Sequence, residues 1–342
     1  MGRYIVKRLI YMLLVFFLLT FILFVIYQMM PANQAYTDAK AELQSLKNSN
    51  VSFDELYLKY QRQYGTDTDD KLVLYLRWLG LYPFYDGHYS GVFTGDFGKS
   101  TTNNNQPVVE VVPVHMRNSF LIGIITEIAV LGVTIPLGIK CAVKKNSRFD
   151  RFTQFFTLIG FSTPSFIIYI IFIMFFCSIL GWFPVSGMKT PGADYTGIRN
   201  VLDVLHHVAL PTICLTFGSL ASITRITRAS MIDALNLDCI RTARAKGLSE
   251  KVVIYSHAWR NALVPMVSII VGGFFGTISG AVILETMFGF KGMGLLFYTA
   301  TKNADYDMIM FLQLIYTFLG LFSNLVIDLC YGIVDPRVRI SK

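Results

Sequence analysis

Residues 240–265, IRTARAKGLSEKVVIYSHAWRNALVP, combine residue types that suit contact with a protein partner. Gly247 interrupts a helix-forming run and Ser249 is placed to cap the next helix, which would put Leu248 at the tip of a helix–turn–helix. Arg241, Arg244, Lys246 and Lys251 surround that tip with positive charge, and Thr242, Ala243 and Glu250 complete it. An apolar tip ringed by cations suits insertion into a cleft on another protein. Seven Lys and Arg between Arg225 and Arg260 equally suit a loop that merely lies on the positive side of a membrane, so both readings stay open.

Other chemistry-bearing residues are sparse. Glu127 and Asp328 sit inside apolar runs, where an acid by default faces a bundle interior or a wet cavity. Asp328, near the end of its run, is expected to bond backbone or a neighbouring helix. Glu127 is a candidate for lining a path taken by a charged substrate, with packing inside the bundle as the alternative. Adjacent His206 and His207 point about 100° apart on a helix and cannot clamp one metal as an i, i+4 pair does, so no metal site is expected. TGDFGKS at 94–100 resembles a phosphate-binding loop, but position 93 is Phe where that pattern needs Gly. Gly272, Gly276 and Gly280 repeat every four residues, a spacing that lets another helix approach closely. No catalytic constellation emerges.

The elements that must position these residues are membrane spans. Hydrophobic residues make up 54% of the 342, charged residues 15%, and mean hydropathy is +0.51, against about 25% charge in soluble chains. Residues 9–30 run 22 positions without a charge, where roughly 20 suffice to cross about 30 Å of hydrocarbon. Fifteen of them are Leu, Ile, Val or Phe, worth up to about −4.5 to −9 kcal/mol on insertion. The run is too long for a signal peptide and MMPANQAY offers no A-x-A cleavage site, so the first helix is expected to stay. Five further spans are predicted at 119–143, 152–180, 204–224, 264–284 and 308–334. Eleven Leu, Ile or Val between 121 and 139 outweigh the roughly 3 kcal/mol of one buried Glu. The fold class is therefore all-α integral membrane, with six spans.

Six spans put both termini on one side. Segments 1–8, 144–151, 225–262 and 335–342 carry 17 Lys and Arg; the two short segments on the opposite side carry 4. Both termini and the 225–262 loop are thus expected to be cytoplasmic. The net charge of +8 is a topology signal, spread along membrane edges rather than gathered on one soluble face as nucleic-acid binding requires. Residues 31–118 form a large extracytoplasmic segment, either a cap packed on the spans or a docking surface for an external partner. Within it, 52–55 (SFDE) reads as a capping box, 71–81 (KLVLYLRWLGL) as an amphipathic helix lying on the outer membrane surface, and TTNNNQP as a polar loop. The five cysteines imply no disulfide framework.

RTARAKGLSEKVVIYSHAWRNALVP resembles the cytoplasmic signature loop of ATP-binding-cassette (ABC) importer permeases, specifically the first permease subunit of the oligopeptide and dipeptide importers. The general pattern of Glu-Ala-Ala, then Gly after three residues, reads here as Arg241, Thr242, Ala243 and Gly247; the missing Glu is usual in the peptide branch. ITRITRASMIDAL (223–235), STPSF (162–166), ETMFGFKGMGLL (285–296), DPRVR (335–339) and GDFGKS (95–100) resemble that branch and occur in its order. The similarity covers 1–30 and about 70–342, which makes about 31–70 an insertion and 119–342 the five-helix permease core. The resemblance implies a non-catalytic subunit forming half of a translocation pore with a second, homologous permease. It implies two cytoplasmic ATPase subunits gripping the coupling loops, and an extracytoplasmic peptide-binding lipoprotein that delivers cargo. ATP and Mg would be bound by the ATPases, with no cofactor on this chain. The competing class, an ATP-independent secondary transporter or channel, should show matching broken helices in two inverted halves, and no such repeat is evident.

Overall fold

The computed structural model describes residues 2–29, 34–46 and 51–334; the DPRVR motif lies outside them. Among the described residues, five helices are long and apolar enough to cross a membrane. They are α1 (Gly2–Gln28), α5 (Val108–Val143), α8 (Gly197–Leu235), α11 (Trp259–Ser279) and α14 (Tyr306–Val334). Shorter helices include α2 (Gln34–Ser45), α3 (Phe53–Gln63), α4 (Lys71–Leu79) and α6 (Arg148–Ser162). The rest are α7 (Ser165–Phe172), α9 (Asp238–Ala245), α10 (Glu250–Val252), α12 (Val282–Met287) and α13 (Met293–Lys302). At about 1.5 Å per residue, the 36 residues of α5 and 39 of α8 exceed the thickness of a bilayer core, so both helices extend beyond the spans expected from sequence.

Two expected spans differ in shape. The 152–180 run is not one rod: α6 and α7, with a π-helical stretch at Ile173–Ile179 after α7, meet at a bend of 101°. Pro164 explains the break, because it lacks an N–H and drives Thr163 into extended backbone at φ −88°, ψ 127°. The 264–284 run ends early. Gly280 takes φ +76°, closing α11 at Ser279, and the chain restarts as α12.

The chain divides into two compact units. The first comprises residues 1–115 and 296–321. Here α2 and α3 form a helical pair tied by Lys59 to Glu42 at 3.0 Å and by the Tyr64 hydroxyl donating to Asp38 at 2.5 Å. Ser52 accepts the Glu55 N–H as an N-cap, as SFDE predicts. The apolar face of α4 is packed in protein rather than left free for a membrane surface: Leu74, Tyr75 and Leu79 are buried with Phe24 of α1 and Met310 of α14, and Tyr75 shares a 2.7 Å hydrogen bond with Thr20. A ring-lined core satisfies that face better than lipid headgroups would. TTNNNQP forms the tip and second strand of a short hairpin, β1 (Lys99–Ser100) antiparallel to β2 (Gln106–Pro107), with Asn104 and Asn105 supplying the two left-handed residues. GDFGKS is a structural tie: Asp305 accepts the Ser100 hydroxyl at 2.6 Å and Asp307 accepts the Lys99 N–H at 3.1 Å. The donors of this loop are thus taken up by Asp305 and Asp307 rather than left open to cradle a phosphate.

The second unit comprises residues 116–295 and 322–342. One core gathers Ile122, Tyr169, Val208, Leu210, Phe288 and Phe290. A second gathers Ile139, Met231, Ile240, Ala243, Val253 and Ala262. Helices approach closely where one lacks a side chain: an added Cβ at Gly123 would overlap Thr277, and one at Gly138 would lie 2.6 Å from Thr227.

Candidate functional site

The loop between α8 and α11 is built as a rigid elbow. Its first helix, α9, buries Ile240 and Ala243 in the second core, beside residues from α5, α8 and α11. Ala243 is thus an anchor, facing away from the exposed tip. The turn that ends α9 has both hydrogen bonds of a Schellman motif: the Gly247 N–H donates to the Arg244 carbonyl at 2.9 Å and the Leu248 N–H to the Ala243 carbonyl at 3.4 Å. Gly247 takes φ +75°, open to glycine and costly to residues with a Cβ. Leu248 follows it with 41% of its surface exposed.

Around Leu248 the side chains of Arg241, Thr242, Arg244, Lys246, Ser249, Glu250 and Lys251 are exposed. Arg244 and Glu250 pair across the turn at 2.8 Å, linking the two sides of the elbow and holding Arg244 above its usual value. Arg241 pairs with Asp238 at 3.3 Å. Ser249 occupies the N-cap position before α10, but its hydroxyl makes no capping bond; its carbonyl accepts the Val253 N–H at 3.0 Å instead. From there α10 and a π-helical stretch at Val253–Ala258 run into α11 without a break.

A second feature of this unit is a cavity of about 200 Å³. Glu127 on α5 and Gly273 and Gly276 on α11 line it, as does Glu285 on α12. Asp328, half-buried on α14, is not among its lining residues. Among the described residues, no neighbouring helix packs against Gly272, Gly276 and Gly280 as one face. A Cβ on Gly272 or Gly276 would meet nothing within 4 Å, and Gly280 lies outside the helix. The close approach is made by Gly273, one residue along, where a methyl group would overlap the Glu127 carboxylate.

Glu285, the first residue of ETMFGFKGMGLL, organises this region. It is 2% exposed and accepts the Ser119 hydroxyl at 2.9 Å, the Ala281 N–H at 3.0 Å and the Leu295 N–H at 2.6 Å. Added Cβ atoms on Gly280 and Gly292 would overlap its carboxylate. An acid flanked by glycines at 280, 292 and 294 was the available signal, since a buried carboxylate needs backbone N–H groups brought close. His206 and His207 donate separately to the Trp182 and Asp203 carbonyls, at 2.8 and 2.9 Å. Among the described residues no three His, Cys, Asp or Glu gather as metal ligands, and all five cysteines are free thiols.

Residues 134–340 match the family described as the binding-protein-dependent transport system inner membrane component. The oligopeptide transport system permease protein AppB of Bacillus subtilis is 33% identical over 99% of this chain and 100% of its own length. The dipeptide transport system permease protein DppB of Lactococcus lactis is also 33% identical, over 99% of this chain and 100% of that one. Among solved structures, a chain of the MetNI methionine ABC transporter in an inward-facing conformation shares the fold, with a TM-score of 0.52 at 14% identity over 66% of this chain and 97% of that chain. A family match over more than half the sequence, joined to full-length relatives at this identity, leads to one conclusion: the chain belongs to the inner-membrane permease family of binding-protein-dependent transport systems.

Proposed function

We propose that this chain is the pore-forming permease subunit of an ATP-driven peptide importer, with the elbow at Gly247 as the point where an ATPase subunit docks. The observation that carries the docking assignment is the two-faced build of α9. Ile240 and Ala243 fasten it into the core shared by α5, α8 and α11, while Leu248, Arg241, Arg244 and Lys246 remain exposed at the turn. A displacement applied to the turn therefore moves the packed helices as a body, because close-packed cores transmit strain rather than absorb it. Peptide as cargo is supported by the full-length similarity to oligopeptide and dipeptide permeases.

On this reading the chain has six spans, counting the bent α6 and α7 as one, with both termini and the α9 elbow on the cytoplasmic side. A second, homologous permease completes the pore. Two cytoplasmic ATPases bind ATP and Mg and carry the catalysis, this subunit being non-catalytic, and an extracytoplasmic lipoprotein delivers peptide. Residues 31–118, including the insertion at about 31–70, form a cap outside the membrane. The test is to co-express the full complex with Leu248→Asp and to measure ATPase co-purification and ATP-dependent uptake of a labelled peptide. Both should fall at least about tenfold while membrane insertion is unchanged. Normal assembly and uptake would refute the docking assignment.

A further inference from the structure

Glu127 and Glu285 both reach the cavity in the second unit, and no Lys, Arg or His lines it. Glu285 is fully engaged, accepting three hydrogen bonds from the chain. Glu127 is not: its Oε1 has almost no solvent surface and receives no hydrogen bond. Threonine hydroxyls that share the cavity lining are committed elsewhere, Thr126 donating to Thr212 at 3.4 Å and Thr277 to the Phe274 carbonyl at 2.7 Å. Gly273 is what lets the carboxylate lie there, since any side chain at that position would displace it. A buried carboxylate oxygen without a donor is costly, and a donor brought by a bound molecule would relieve that cost.

The complement to two acids without a cation is a positively charged group. A volume of about 200 Å³ is below the roughly 300–1,000 Å³ of pockets that enclose a drug-sized ligand, so it accommodates one end of a molecule rather than a whole peptide. The geometry points to Glu127 as a binding residue for the ammonium group of the transported substrate, its carboxylate accepting an N–H of the peptide amino terminus as cargo passes between α5 and α11. The assignment rests on the peptide-import reading above.

The test compares uptake of one labelled tripeptide, with a free or an acetylated amino terminus, by the complete reconstituted transporter at saturating binding protein. The preference of the binding protein is common to all variants, so it cancels when the free-to-acetylated ratio is compared between them. Glu127→Gln should lower that ratio about tenfold, the size expected of one charge-assisted hydrogen bond. Glu127→Asp should retain most of it, and Gly273→Ala, by displacing the carboxylate, should lower it as Glu127→Gln does. An unchanged ratio in Glu127→Gln, or equal loss of both substrates, overturns this inference alone. Failure of the unaltered complex to take up either peptide with ATP overturns the peptide-import reading and this inference with it.

Discussion

Arg228 on α8 donates two hydrogen bonds of 2.7 Å, through Nε and Nη2, to the two carboxylate oxygens of Asp150 on α6. Asp150 is 2% exposed, and its Oδ2 also accepts the Asn146 N–H at 2.9 Å. The pair fastens α6 to the helix that leads into the elbow. Arg228→Ala leaves a buried carboxylate uncompensated and should cost about 2–3 kcal/mol, less than the ~3–5 of a fully buried pair because Arg228 keeps 20% of its side chain exposed. The double variant Asp150→Asn with Arg228→Met should recover part of that loss. Thermal inactivation of the purified protein in detergent measures both; a double variant worse than Arg228→Ala would contradict the pairing.

Gly272 in α11 and Gly280 just beyond its end give opposite expectations. Gly272→Ala meets open space and gains helix propensity, so the stability of the purified chain should hold or rise by up to about 1 kcal/mol. Gly280→Ala should destabilise, because φ +76° strains an alanine and its Cβ would overlap Glu285. Equal effects at 272 and 280 in a melting assay would mean that the stripe acts as one packing face after all.

Much of this was legible in the sequence, and the misses have physical causes. Charge-free runs of about 20 residues announce spans because lipid tolerates few alternatives to a helix, so α1 and α14 lie close to where composition puts them. Hydropathy does not register the missing N–H of Pro164 or the left-handed backbone of Gly280, so two runs that read as rods are broken. The elbow was readable because Gly247, followed by Leu248, is the local signature of a Schellman turn. Ala243 could not be oriented from sequence, since its burial depends on α5 and α11, far away in the chain. Glu285 was missed for the same reason: its donor Ser119 lies 166 residues away.

Asp96, in the loop of GDFGKS, supplies a pH test in the first unit. Its Oδ2 accepts the Ser90 hydroxyl at 2.5 Å and its Oδ1 the Gly98 N–H at 3.1 Å, and these bonds hold the carboxyl below its usual value. A lowered folded value means the stabilisation is present above the unfolded value of about 4 and is lost as pH falls through the folded one. Hydrogen exchange at the Gly98 amide should therefore show protection fading below about pH 4. Ser90→Ala should move that loss to higher pH; an unchanged profile would remove Asp96 as its cause.

Gly247 tests the backbone of the turn while leaving Leu248 and the surrounding charged side chains in place. Gly247→Val places a β-branched residue at φ +75° and should cost about 1–2 kcal/mol or shift the turn. Uptake should fall while ATP hydrolysis by the partner subunits continues, the signature of uncoupling. Parallel loss of both activities with intact assembly would assign the turn another role.

The most direct test of the central claim places a cysteine at the tip. Cys239 is also exposed, so Leu248→Cys is made in a Cys239→Ser background and the full complex is treated with a short thiol cross-linker. The account predicts a covalent adduct between position 248 and a nucleotide-hydrolysing subunit, its yield changing between nucleotide-free and ATP-bound states. Labelling of position 248 only by a membrane-impermeant reagent added outside intact cells, with no adduct to an ATPase in either state, would contradict it.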